Sequence, residues 1–220
     1  MSLDAAALER LRDALAAALA VDDGGDPDVA EEIARVQDHL AVVVGTTPIL
    51  PAPTGHPLTA HLALAIEATA ARFPGLAAAL HPLFADLPWR YGYTARADLP
   101  GLENRMGWAE IVGPAAPFRS ASVCLGLTFL ASGTRYPDHR HPAVEFYRIV
   151  AGHPLWTVES QTRRLASPAA VLHVSGARHA MASGARHAMA SGGEALLAIY
   201  SWTGDIVSPS VWSEPAAPGI

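Results

Sequence analysis

Apolar residues recur at helical spacing in the first part of the chain, and then the period changes. Leu8, Leu11, Leu15 and Leu19 fall three or four positions apart, which puts them on one face of a helix from Ser2 to about Ala20, with Ser2 placed as its cap. After the turn-forming run DDGGD, Asp26-Pro27 reads as cap and first turn of a second helix, whose buried stripe is Val29, Ile33, Val36, Leu40 and Val43. Pro48, Pro51, Pro53 and Pro57 impose a loop. Two further Ala/Leu-rich segments, Pro57 to Phe73 and Pro74 to Leu87, complete a helical region over residues 1–88. That region is expected to form a small bundle that packs on the later sheet or supplies a homodimer surface.

From Trp89 onward the chain breaks into short segments rich in Val, Ile, Tyr, Trp and Phe, bounded by Gly, Pro and Ser. This is the pattern of an antiparallel barrel or sandwich. The expected strands are Trp89–Tyr93, Trp108–Val112, Ser122–Leu130, Val144–Val150, Leu155–Glu159, Ala169–Val174, Leu196–Trp202 and a piece around Val211. Eight short strands fit a jelly roll over residues 89–220, so the fold class is mostly β with a helical amino-terminal region, α+β overall. The octapeptide SGARHAMA interrupts this half by occurring twice in tandem, at Ser175–Ala182 and Ser183–Ala190. Two copies of an eight-residue unit are too few for a solenoid and read as a local duplication, so one histidine, His179 or His187, is a copy of the other.

Composition narrows the function classes. With 220 residues the chain can bury a core without staples, and its single cysteine, Cys124, sits in the apolar run SASVCLGLTFL as a small buried hydrophobe. The net charge is −6 and the 15 basic residues form no cluster, which removes support for a nucleic-acid or anionic-membrane surface. The first helix carries Asp4, Glu9, Arg10, Arg12 and Asp13, so it lacks the continuous apolar stretch of a signal peptide. A cytoplasmic protein acting on a small molecule is expected.

The chemistry concentrates between Gly133 and Gly152. Gly133, His139, His141, Glu145 and Gly152 satisfy G-x5-H-x-H-x3-E-x6-G, the first metal-binding motif of the cupins. In an extended segment His139 and His141 point the same way and Glu145 keeps that parity. A lone histidine would read as solvated surface, but ligand-type residues at fixed spacing read as a metal site. The second motif contributes Gly176 and His179, with Val174 where proline is usual; His187 offers the same ligand, and the unbroken approach from the preceding strand favours His179. Histidine and carboxylate ligands suit one divalent ion such as Zn, Fe(II) or Mn(II), with Ni and Co also compatible. Tyr147 shares the parity of Glu145, while Phe146 and Arg148 face away. A phenol there becomes a usable base only if a nearby cation favours phenolate. Tyr136 reaches the same cavity or packs in the core. His153 and His173 match no motif and read as solvated or structural.

The arrangement Tyr136-Pro-Asp-His139-Arg-His141-Pro-Ala-Val-Glu145-Phe-Tyr147 resembles the cupin-type dimethylsulfoniopropionate (DMSP) lyases. So do GWAEIVGP at Gly107–Pro114, His-Ala-Met in the second motif, and LLAIYSW-TGD ending at Asp205. The resemblance covers about Trp89 to Asp205 and implies a β-elimination of DMSP to dimethyl sulfide and acrylate. It implies that His141, Glu145 and His179 hold the metal, which binds and polarises the substrate carboxylate, and that Tyr147 takes the α-proton. His139 then either ligates or hydrogen-bonds to the set. Trp202 and Trp156 are candidate aromatic walls for the sulfonium, against plain barrel packing for each. An Fe(II) dioxygenase, a sugar isomerase and a non-catalytic ligand-binding cupin are the competing expectations.

Overall fold

The computed structural model describes residues 3–21, 25–95, 97–183 and 194–213. Its amino-terminal part contains α1 (Ala5–Leu19), α2 (Pro27–Ala41), a single 3-10 turn (Pro57–His61), α3 (Ala63–Thr69) and α4 (Pro74–Leu80). Leu8, Leu11, Leu15 and Leu19 of α1 are fully buried, as their spacing requires. The cap is Asp4 rather than Ser2: its carboxylate accepts from the Ala7 amide at 2.7 Å. Asp26 caps α2 by accepting from the Asp28 amide at 3.0 Å, with Pro27 in the first turn. The segment from Pro57 to Phe73 is broken at Leu62 into a 3-10 turn and a short helix instead of one continuous element.

Eleven strands follow among the described residues: β1 (Met106–Gly113), β2 (Phe118–Arg119), β3 (Cys124–Leu130), β4 (Arg135–Arg140), β5 (Val144–Ala151), β6 (Leu155–Val158), β7 (Gln161–Arg164), β8 (Ala170–His173), β9 (His179–Ala182), β10 (Leu196–Thr203) and β11 (Val211–Trp212). They form a six-stranded sheet ordered β2-β1-β3-β10-β5-β8 and a five-stranded sheet ordered β11-β4-β9-β6-β7. This is a jelly-roll cupin fold preceded by helices. Expected strand Trp89–Tyr93 reduces to one bridge, Arg90 with Trp108, because Trp89 is anchored in the helical core with its indole donating to the Phe84 carbonyl at 2.7 Å. Strand β7, of sequence QTRR, escapes pattern recognition because all four residues are exposed and no alternation marks it.

The six-stranded sheet is buried on both faces. Leu125, Leu127 and Phe129 of β3, Phe146 and Val150 of β5, and Leu197 and Ile199 of β10 join one hydrophobic cluster with Leu8, Leu11, Leu15 and the other helical residues. The alternate residues, among them Tyr147, Ile149, Ala198 and Tyr200, join a second cluster with Tyr136, Trp156 and Met181 of the five-stranded sheet. Helices therefore cover one face and the second sheet covers the other, which turns β3, β5 and β10 into near-continuous apolar runs. Among the described residues no helix is long and apolar enough to cross a membrane.

Arg148 ties the two halves together. It is fully buried on the helix side of β5, and its guanidinium donates to the carbonyls of Leu19 (3.2 Å), Val21 (2.6 Å) and Pro168 (2.9 Å). A cation at the carboxyl end of α1 also complements the helix dipole. Arg148→Met keeps the stem but leaves these carbonyls without their donor. It should cost about 2–4 kcal/mol, seen as a fall in melting temperature of roughly 5–15 °C. An unchanged melting curve would remove Arg148 as a structural tie.

Candidate active site

The site lies between the two sheets, centred on β5. Glu145 and Tyr147 alternate onto the inner face, and the pairing register places Trp202 of β10 on one side of Glu145 and His173 of β8 on the other. The opposite sheet brings His139 of β4 into register with His179 of β9, and His141 lies one residue past the end of β4. Gly152 closes the motif at φ +91°, where a Cβ would meet the Ala195 carbonyl oxygen at 2.2 Å, so both backbone conformation and space demand glycine.

His141, Glu145 and His179 are all buried and place their ligand atoms within 4.8 Å of one another. Backbone carbonyls select the tautomers: Nδ1 of His141 lies 3.2 Å from the Ala143 oxygen, and Nδ1 of His179 lies 3.0 Å from the Ala177 oxygen. A carbonyl only accepts, so each Nδ1 bears a proton, and in a neutral ring Nε2 then presents a lone pair. Both lone pairs face the same carboxylate oxygen: Nε2 of His141 is 2.9 Å and Nε2 of His179 is 3.0 Å from Glu145 Oε2. The His179 contact lacks hydrogen-bond geometry, leaving that buried nitrogen without a hydrogen-bond partner. Acceptors facing one another at this distance call for a cation between them, a proton or a metal ion. The donor set and its buried, unpaired nitrogen fit a single divalent ion.

The electrostatics agree. Burial disfavours a charged His141, but the adjacent Glu145 carboxylate outweighs it and raises the histidine pKa. Burial likewise disfavours the Glu145 carboxylate, yet the positive charge of a protonated His141, and the close approach of His173 and His179 to Oε2, hold its pKa well below the ordinary value. Trp202 donates from Nε1 to Glu145 Oε1 at 2.6 Å and lays its ring 4.3 Å from that of His141. Tyr147 is buried with its hydroxyl between Thr128 and Glu145; burial first, and then the charge of Glu145, push its pKa well above 10. A cavity of about 210 Å³ opens onto this group, walled by Tyr93, Tyr136, His139, Tyr147 and Trp202.

His139 is buried beside His141, Glu145 and His179 but outside the converging set. Its Nδ1 contacts the Pro137 carbonyl at 2.9 Å, and its ring stacks on Tyr136 at 3.9 Å. Strand β4 ends at Arg140, between the two histidines, so the simple strand parity that would align both does not extend to His141. Trp156 is not on the cavity wall: it is buried behind Tyr147, 4.9 Å ring to ring, and donates to His173. Two residues of the site have no motif to announce them. Tyr93 hydrogen-bonds Tyr136 through the two hydroxyls and stacks on Trp212 at 4.0 Å. His173, read from sequence as solvated or structural, is fully buried, with Nδ1 at 3.3 Å from Glu145 Oε2 and its pKa lowered to about 4, chiefly by burial. Its shared parity with Val171 in β8 is the available signal, and it becomes informative only once β8 is known to pair with β5. The second copy of the repeat, with His187, lies outside the described residues, and His179 of the first copy lies in the cluster with His141 and Glu145.

Comparison with known proteins follows the same lines. The chain is 31% identical over 186 residues, 83% of its length, to a Cereibacter sphaeroides protein provisionally named dimethylsulfoniopropionate lyase DddL, 75% of which is covered. It is 29% identical over 128 residues to dimethylsulfoniopropionate lyase DddQ of Ruegeria pomeroyi, covering 58% of this chain and 60% of that protein. The crystal structure of DddQ from Ruegeria pomeroyi superposes with a TM-score of 0.64 at 26% identity, over 88% of this chain and all of that one. A chain from the crystal structures of the DMSP lyases RdDddP and RnDddQII has the same fold, with a TM-score of 0.66 at 22% identity over 95% of this chain and 98% of that one. A sequence model of the dimethylsulfoniopropionate lyase family matches residues 48–190, more than half of the chain, which therefore belongs to that family.

Proposed function

We propose that the chain cleaves dimethylsulfoniopropionate to dimethyl sulfide and acrylate by β-elimination, with His141, Glu145 and His179 holding one divalent metal ion. The observation that carries this reading is the pair of histidine lone pairs aimed at a single carboxylate oxygen, beside a cavity walled by tyrosines. Once bound there, the metal supplies Lewis acidity to the substrate carboxylate and so acidifies the adjoining C–H.

The chain's own residues do the rest. Tyr147 is the base: its phenolate oxygen takes the proton from the carbon next to the carboxylate. The electrons of that C–H bond form the C=C bond of acrylate, and the C–S electron pair departs with sulfur as neutral dimethyl sulfide. Tyr147 can serve only as phenolate, and after burial the charge of Glu145 is the largest of the causes that keep it protonated. Compensating Glu145 removes that cause. Trp202 offers its ring to the sulfonium, a contact worth about 0.5–2 kcal/mol, while its indole N–H steadies Glu145. Tyr136, linked to Tyr93, orients the substrate from the facing wall, with His139 stacked behind it.

Purified protein loaded in turn with Fe, Mn, Zn, Co and Ni, and given DMSP, should release dimethyl sulfide into the headspace with at least one metal. Silence from all five, with metal shown to be bound, would overturn the substrate assignment.

A further inference from the structure

We infer that Trp156 and His173 form a positioning relay that holds Glu145 and keeps His173 itself out of the metal's ligand set. The inference rests on the metal reading above.

Three histidine rings surround Glu145 Oε2, and hydrogen bonding divides them into two kinds. The indole of Trp156 is a donor only, and it points at Nε2 of His173 from 3.0 Å. That nitrogen must therefore hold the lone pair, so the proton of the neutral ring is on Nδ1. Nδ1 faces Glu145 Oε2 at 3.3 Å, and the contact is an N–H donated to the carboxylate. His141 and His179 face the same oxygen with lone pairs, because carbonyls take their Nδ1 protons. His173 thus acts on the carboxylate as a hydrogen-bond donor where its neighbours act as ligands, and Trp156 enforces the difference. The ring is also clamped sterically: it stacks on His179 at 3.8 Å, and β8 pairs with β5 so that His173 lies directly opposite Glu145. With Trp202 donating to Oε1, both oxygens of Glu145 have a neutral N–H donor that aims the remaining lone pairs.

Two consequences separate a positioning role from mere packing. Removing the His173 donor should weaken metal binding, and an amide that restores an N–H near Nδ1 should recover it. Removing the Trp156 donor should free His173 to move its proton to Nε2, so that Nδ1 becomes available as an additional ligand.

Both are read with Co(II) on the full-length protein, by competition with a chromophoric chelator and by the visible absorption of the bound ion. His173→Phe should lower Co(II) affinity 10–100-fold, and His173→Asn should recover most of that loss. Trp156→Phe should change the position and intensity of the cobalt bands, and the change should vanish in the Trp156→Phe/His173→Phe double variant. If His173→Phe does not fold, the Trp156→Phe spectrum and the His173→Asn affinity still decide. Wild-type affinity in His173→Phe, Asn no better than Phe, or an unaltered Trp156→Phe spectrum overturns the relay while leaving the metal site standing. A wild-type protein that takes up no cobalt or other divalent ion overturns the metal reading itself, and the relay with it.

Discussion

Tyr147→Phe should lower turnover of DMSP by about 10²–10⁴-fold, the usual contribution of a positioned general base. The substitution removes one oxygen and little else. The buried ring packs edge-on against Trp156 at 4.9 Å in the inter-sheet core, and phenylalanine preserves that contact. Losing a buried hydroxyl that meets Thr128 and Glu145 should change stability by no more than about 1 kcal/mol. The variant should therefore fold, keep its metal content and bind substrate, so that the deficit falls on kcat. Dimethyl sulfide release, measured on a preparation whose metal has been quantified, makes the test. Near-normal turnover would take the base role away from Tyr147.

Glu145→Gln should reduce metal affinity by more than about 100-fold, since even changes to residues behind the ligands cost 10–100-fold. The amide keeps the shape of the side chain but loses the charge, and its NH₂ group competes with the metal for the lone pairs of His141 and His179. A chelator competition assay reads this directly, and a variant that retains wild-type affinity would remove Glu145 from the ligand set. The same site should also respond to pH. Glu145 raises the pKa of His141 above the ordinary histidine value of 6.5, so a proton and a metal ion compete for one nitrogen. Metal affinity should fall as pH drops through that raised value and recover above it; a flat profile between about pH 5 and 8, against an ordinary pKa near 6.5, would contradict the competition. In the metal-free protein the pair works in the opposite sense. Its stabilisation is fully present below the unfolded histidine pKa and is lost as pH rises through the folded one.

What the sequence determined by itself was whatever depends on local order. Periods of three to four residues in the first part and of two in the second follow from backbone geometry, so the helices and most of the strands could be read directly. The spacing of His141, Glu145 and Tyr147 was equally legible, because parity within one strand puts Glu145 and Tyr147 on one face, with Phe146 and Arg148 on the other. Tertiary structure decided what depends on which strand lies beside which. Strand β4 ends at Arg140, between His139 and His141, and His139 stands outside the cluster of His141, Glu145 and His179, a break in parity that spacing cannot express. The pairing of β8 with β5 moves His173 from an unremarked histidine to a contact of Glu145, and the packing of β6 turns Trp156 away from the cavity and toward that histidine. Tautomers were the last thing decided. They depend on carbonyls and an indole reaching each ring from outside the ligand spacing, and they make two histidines around one oxygen acceptors and the third a donor.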